Sequence, residues 1–315
     1  MTNEKVSVVI PAYNVELYIE RCISSVIDDP YVEEIIVVDD GSSDRTTSIV
    51  KTNFIDNPKL ILLFHENNSN RGACASRNLG LNHAKANWVQ FLDADDVLLP
   101  GKFERQLQII YKEDVDLILG SYYFINGKKK YIEDPFQKDV WVGFINNKLG
   151  HTNSNLWKKS SLIGIGGWAN EWPSSQEYEL LLRALKNKFK IGYDFIPSSE
   201  YIKRQNSIST SGNNQGWQRQ IILRLELGDY LFKIGELNKK RSLAIHKFIF
   251  NKLIFLRRQK SLKDDWKKLN NRYLRSPWFR KIYELNASKR ILVYSLLGFR
   301  LTEILVKGIR VVKKK

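Results

Sequence analysis

The chain has 315 residues, 43% of them hydrophobic, and a formal charge of +16. That apolar content supports a sizeable core and excludes a wholly disordered chain. Its two cysteines, Cys22 and Cys74, exclude a disulfide framework and suit a reducing compartment.

The charge is lopsided. Residues 212–315 hold 26 Lys and Arg against 7 Asp and Glu, so this last third carries +19 and residues 1–211 carry −3. A near-neutral body with a basic appendage is expected, the appendage seeking anionic partners. No uncharged apolar run approaches the roughly 20 residues of a spanning helix. Pro11 interrupts the early run "VSVVI", so no secretory signal is expected there.

In chain order, "KVSVVIPAYN" reads as a buried strand stopped by Pro11, and residues 15–28 as a helix with Leu17, Ile19, Cys22, Ile23, Val26 and Ile27 on its apolar side. "EEIIVVDDGSSD" is a second strand running into a turn, with Ser43 or Asp44 capping the next helix. "KLILLFHE" is a third strand. "NRGACASRNLGLNHA" is a loop entering a helix, and "NWVQFLDADD" is a fourth strand. "DVDLILGSYYFI" reads as another strand, and a helix is expected from about Ser175. Beyond residue 212 the pattern is helical and basic.

Strands alternating with helices predict a mainly parallel sheet covered on both faces. Ligands of such sheets collect outside the carboxyl ends of the strands. "PAYN", "DDGSSD" and "DADD" should therefore meet on one edge. Asp93, Asp95 and Asp96 repel one another unless a cation offsets them, and oxygen ligands of this kind suit Mg²⁺ or Mn²⁺. An acidic turn capping the next helix is the plainer alternative.

Taken in this order, "VVIPAYN", "VVDDGSSDRT", "NRGACASRNLGL" and "FLDADD", followed by "GGW" and "SSQEYELLLR", resemble the family 2 glycosyltransferases of the GT-A fold. The resemblance spans residues 5–100 strongly, weakens to about 210 and is absent beyond. It implies a GT-A domain over residues 1–211, with residues 1–100 binding a nucleotide sugar and 101–211 forming the acceptor side. A basic, mostly helical region over 212–315 follows. It further implies that Pro11, Ala12 and Tyr13, with Asp40, hold the base and ribose. Asp95 coordinates the metal, and Asp93 lies against ribose and metal. Gly72 and Arg77 follow the nucleotide diphosphate, with a surface ion pair as the alternative for Arg77 and an Asx turn for Asp39 and Asp40.

Glu177 matches the catalytic base, although most members show Glu-Asp where this chain has Gln176-Glu177. Glu179 is the rival, with an ion pair to Arg183 as its other role. Arg204, followed by Gln205 where many relatives have histidine, is expected at the diphosphate. His151 is a possible substitute ligand. Trp157, Trp168 and Trp172 either stack on acceptor sugars or pack in the core.

The implied function is inverting transfer of a hexose-type sugar from a nucleotide sugar, UDP-linked by preference, to a glycan or lipid-linked acceptor, with Mg²⁺ or Mn²⁺ as cofactor. Residues 289–315 carry eight basic residues and one acid among apolar positions, which suits a helix lying on an anionic membrane. The expected setting is the inner face of the cell membrane, with the protein cytoplasmic and peripheral. The alternative for this tail is packing on the protein's own body. Two other readings are a non-catalytic scaffold of polysaccharide assembly and a nucleic-acid-binding protein. The second leaves the acidic strand ends unexplained, so no nucleic-acid partner is expected. The oligomeric state stays open.

Overall fold

The structure, a computed structural model, describes residues 4–202, 214–258 and 263–279. The chain divides into two compact units after Gly212.

The first unit is built on a seven-stranded sheet. Its strands are β1 (Val6–Ala12), β2 (Val32–Asp39), β3 (Leu60–Phe64), β4 (Trp88–Phe91), β6 (Leu117–Gly120), β9 (Leu156–Lys158) and β10 (Ile191–Asp194), in the spatial order β10-β6-β9-β4-β1-β2-β3. All neighbours pair parallel except β9, which runs antiparallel to both β4 and β6. A second, four-stranded sheet pairs β5 (Val97–Leu98), β11 (Ser199–Ile202), β7 (Tyr122–Asn126) and β8 (Lys129–Glu133) in the order β5-β11-β7-β8. The continuous apolar runs of β1 and β2 are buried over most of their length, as strands covered on both faces must be. Helices α1 (Ile19–Ser24), α2 (Thr46–Phe54), α3 (Ala73–His83) and α4 (Lys102–Lys112) supply much of that cover.

The local expectations need four corrections. Strand β1 continues through Pro11 to Ala12. Val9 turns its backbone toward β4, where its carbonyl accepts from the Leu92 amide at 3.0 Å, and the β4 pairing register ends at that residue. Pro11 has the same parity, so its missing N–H falls where the ladder has already ended. The helix expected over 15–28 is α-helical only from Ile19 to Ser24. The Ser25 hydroxyl donates to the Cys22 carbonyl at 2.7 Å, a local bond that competes with helix extension. "DVDLILGSYYFI" forms two strands, β6 and β7, which belong to different sheets and break at the buried Ser121.

The N-cap of α2 is Arg45, one residue past the expected Ser43 or Asp44, while Asp44 Oδ1 accepts from the Thr46 amide at 2.9 Å. Later in the unit come α5 (Val140–Ile145), α6 (Lys159–Gly164) and α7 (Gln176–Lys186), the last starting beside Ser175 as the sequence suggests.

The second unit holds α8 (Asn214–Lys233), α9 (Lys239–Arg258) and α10 (Lys263–Arg275). Its core gathers His246, Tyr273, Trp278 and Phe279, with the Trp278 indole donating to Asp229 Oδ1 at 2.8 Å. Among the described residues no helix is long and apolar enough to cross a membrane.

Candidate active site

The carboxyl ends of β1, β2 and β4 lie side by side, because those strands are parallel neighbours. Pro11, Ala12 and the half-exposed Tyr13 leave β1 there. At the end of β2, Asp39 makes an Asx turn: its Oδ2 accepts from the amides of Gly41 at 3.2 Å and Ser42 at 3.1 Å. Gly41 has φ +80°, and a Cβ there would stand 2.6 Å from the Asn68 carbonyl oxygen, so the turn admits glycine alone. Asp40 is buried and staples the next loop. Its Oδ1 accepts from the Arg71 amide at 2.7 Å and its Oδ2 from the Gly72 amide at 2.9 Å. Gly72, at φ +86°, then starts α3.

Strand β4 delivers the acidic cluster. Asp93 and Asp95 are partly exposed, while Asp96 is buried. The Asp96 carboxyl is pushed up to about 8 by burial first and then by repulsion from Asp93 and Asp95. Arg21 donates to the Asp95 carbonyl at 3.0 Å, so the loop is held through its backbone as well.

Arg77, on the buried side of α3, is the hub. Its Nη2 donates to Asp93 Oδ1 at 2.7 Å and its Nη1 to Gln176 Oε1 at 2.8 Å. The guanidinium lies 4.5 Å from the centre of the Trp168 ring, which in turn packs edge-on against Phe91 at 5.0 Å. Asn78 clamps Trp168 at both backbone groups, each at 2.8 Å. Trp168 is therefore a platform under Arg77. Trp157 is fully buried in β9 and belongs to the core.

Gln176 and Glu177 open α7. Glu177 is buried, with Oε1 accepting from Asn155 Nδ2 at 2.8 Å and Oε2 from the Thr152 hydroxyl at 2.9 Å. Burial raises its pKa above the ordinary glutamate value. The two hydrogen bonds and the Arg77 charge work against that rise, and Asp93 adds to it. Glu179 faces elsewhere: Arg183 grips it at 2.6 and 2.7 Å and also donates to the carbonyls of Ile165 and Gly167. It staples α7 to the turn before Trp168. His151 lies against Tyr201 at 4.5 Å and Tyr122 at 5.6 Å between ring centres. Burial lowers its pKa, and Asp93 and Arg77 act on it in opposite senses.

The donors around Asp95 and Asp93 are carboxylate oxygens on a charge-crowded strand end. That chemistry fits Mg²⁺ or Mn²⁺, which complete their shells with water and phosphate oxygens. Among the described residues no group of three or more His, Cys, Asp or Glu forms a full cage. Arg204 and the basic tail over 289–315 lie outside the described residues. The bond from Arg77 to Gln176 and the partners of Thr152, Asn153 and Asn155 leave no signal in the sequence and are brought together only by the fold.

The profile described as "Glycosyl transferase family 2" matches residues 7–169. The chain is 31% identical over 223 residues to the UDP-Glc:alpha-D-GlcNAc-diphosphoundecaprenol beta-1,3-glucosyltransferase WfgD of Escherichia coli, covering 67% of this chain and 82% of that protein. It is 36% identical over 127 residues to glycosyltransferase GlyA of Streptococcus pneumoniae, 40% of this chain and 18% of that protein. An uncharacterized glycosyltransferase of Haemophilus influenzae matches at 36% over 120 residues, 38% of this chain and 47% of that protein. The chain thus spans less than half the length of these last two relatives. Among solved structures, residues 1–349 of S. aureus TarS in complex with UDP-GlcNAc superpose with a TM-score of 0.66 at 18% identity, over 87% of this chain and 82% of that one, a likeness of fold.

Proposed function

The chain belongs to glycosyl transferase family 2, on a GT-A fold, and from that premise we propose that it moves a hexose-type sugar from a UDP-linked donor to a hydroxyl of a glycan or lipid-linked acceptor, inverting the anomeric centre. The observation that carries this reading is the arrangement of Glu177. It is a buried acid with both oxygens fixed, joined through Gln176 and Arg77 to the acidic strand end. The UDP-glucose donor and diphosphoundecaprenol-linked acceptor of WfgD support the UDP donor and the lipid-linked acceptor, and the UDP-GlcNAc bound to TarS supports a nucleotide-sugar donor.

In this reading the donor lies along the carboxyl ends of β1, β2 and β4. Pro11, Ala12, Tyr13 and Asp40 border the nucleoside, with Gly72 and Arg77 beside the diphosphate. Glu177 takes the proton of the acceptor hydroxyl as its oxygen bonds to the anomeric carbon. The bond from that carbon to the diphosphate oxygen breaks in the same displacement, and the diphosphate leaves with the electron pair. Mg²⁺ or Mn²⁺ held by Asp95 and Asp93 would offset the charge of the departing diphosphate. Arg77 keeps Asp93 in place and adds a fixed positive charge to the rim.

A lipid-linked acceptor places the reaction at a membrane surface, a setting to which the +19 of residues 212–315 is suited.

The test is Glu177→Gln in a screen of UDP-sugars with lipid-linked acceptors. Turnover should fall by roughly 10²–10⁴, the contribution of a positioned base, while UDP affinity holds. Wild-type turnover by this variant would overturn the reading.

A further inference from the structure

The loop before β9, "HTNSN", was not absorbed by the family motifs, yet it carries much of the buried polar chemistry of the site. Thr152, Asn153, Ser154 and Asn155 are all buried. Their bonds go in two directions. Toward α7, Thr152 and Asn155 each donate to one oxygen of Glu177. Toward β4, Asn153 Oδ1 accepts from the Asp93 amide at 2.8 Å, and its Nδ2 donates to Asp96 Oδ2 at 2.5 Å. Gln90, itself fully buried, holds the loop from beneath by donating to the carbonyls of Thr152 and Asn153 at 3.2 Å each. Asn155 is further fixed by the Leu149 carbonyl at 3.1 Å and the Gly120 amide at 3.3 Å.

We propose that Thr152, Asn153 and Asn155 are positioning residues, forming one rigid rack that sets the Glu177 carboxylate against the Asp93–Asp96 strand end. This rests on the reading of Glu177 as the base. A core that needed only packing would be served as well or better by apolar side chains, because a buried acid with its donors gains little stability over them. What apolar residues would not do is leave Glu177 oriented and chargeable. Burial opposes ionisation, and the Thr152 and Asn155 bonds counter it. The charges facing Glu177 are Arg77, which favours the ionised form, and Asp93, which opposes it.

The two arms of the rack separate by experiment. Thr152→Val keeps the shape and removes the hydroxyl, and Thr152→Ser restores it. The carboxyl titration of Glu177 is read by infrared difference against Glu177→Gln, and pH–rate profiles are taken with UDP-glucose as the probe donor. In Thr152→Val both the Glu177 midpoint and the acid limb of turnover should move up by about one pH unit, the worth of one hydrogen bond to a charged acceptor. UDP affinity should stay unchanged, and Thr152→Ser should return both midpoints. Asn153→Ala should instead weaken UDP binding in the presence of Mn²⁺ by about tenfold, at the low end for a supporting partner of a metal-binding residue, and leave the Glu177 midpoint in place.

The proposal is overturned if the Glu177 midpoint in Thr152→Val stays at the wild-type value, or if Thr152→Ser fails to restore it. Should Thr152→Val not fold, Thr152→Ala carries the same test. A moved infrared midpoint with an unmoved acid limb would leave the rack standing and remove Glu177 as the base.

Discussion

Replacing Arg77 by methionine should destabilise the first unit more than an ordinary helix substitution does. The side chain is 7% exposed and its partner Asp93 26%, so the pair is largely withdrawn from water. Methionine keeps the aliphatic stem over Trp168 but leaves Asp93 without its 2.7 Å donor and Gln176 without its 2.8 Å donor. Breaking a buried ion pair from one side costs about 3–5 kcal/mol. The residual exposure of Asp93 puts this case at the low end, roughly 3 kcal/mol. For a unit of this size each kcal/mol lowers Tm by about 2–4 °C, so the expected fall is about 6–12 °C by calorimetry. Arg77→Lys should lie between, since an ammonium keeps the charge and loses the fork that reaches two partners. In a double-mutant cycle with Asp93→Asn the coupling should exceed about 1 kcal/mol, within the range for residues in contact. A Tm within about 2 °C of wild type, or a cycle without coupling, would refute Arg77 as the hub.

Asp95→Ala should abolish transfer and remove the Mn²⁺ dependence of UDP binding in calorimetric titrations; wild-type turnover by that variant in EDTA would contradict the metal assignment. Glu179→Gln should lower Tm by loosening the Arg183 clamp yet leave the pH profile of turnover unmoved, whereas loss of turnover here with Glu177→Gln active would shift the base by two residues. The full chain should sediment with anionic vesicles at low salt and a version ending at Asn286 should sediment less; equal binding by both would exclude residues 287–315 as the anchor.

The half of the sheet from β3 to β4 was legible because buried parallel strands are written as unbroken β-branched runs, and each ends in residues whose chemistry stands out: Pro11, Asp39, Asp40, Asp93. The start of α7 was legible from its apolar spacing after "PSS". Other parts depended on partners far away in the chain. Asp39 and Asp40 are adjacent and alike in sequence, but one closes its own turn and the other reaches 31 residues on to Arg71. Trp168 could be a sugar platform or a core aromatic by sequence, and Asn78 and Arg77, some 90 residues earlier, take up its backbone and its ring. Strand β9 has three residues, too few for any periodicity to show, so the polar run before it drew no expectation beyond His151.

That short reversed strand has a consequence for how the rim is composed. Parallel strands bring only departing backbone to their carboxyl edge, and each departing segment must then cross over to return. Strand β9 arrives at this edge, so residues 151–155 come down beside residues 91–96 as inbound chain and meet them directly. Departing chain supplies Asp93 and Asp96, and arriving chain supplies Asn153, which accepts from the Asp93 amide and donates to the Asp96 carboxyl. Because the arriving segment is tied to the sheet by Gln90 and by the pairing of Val89 with Trp157, the stretch between β8 and Leu149 can differ in length without altering the spacing of acids and donors. That stretch is thereby free to vary around a fixed pair of facing backbones.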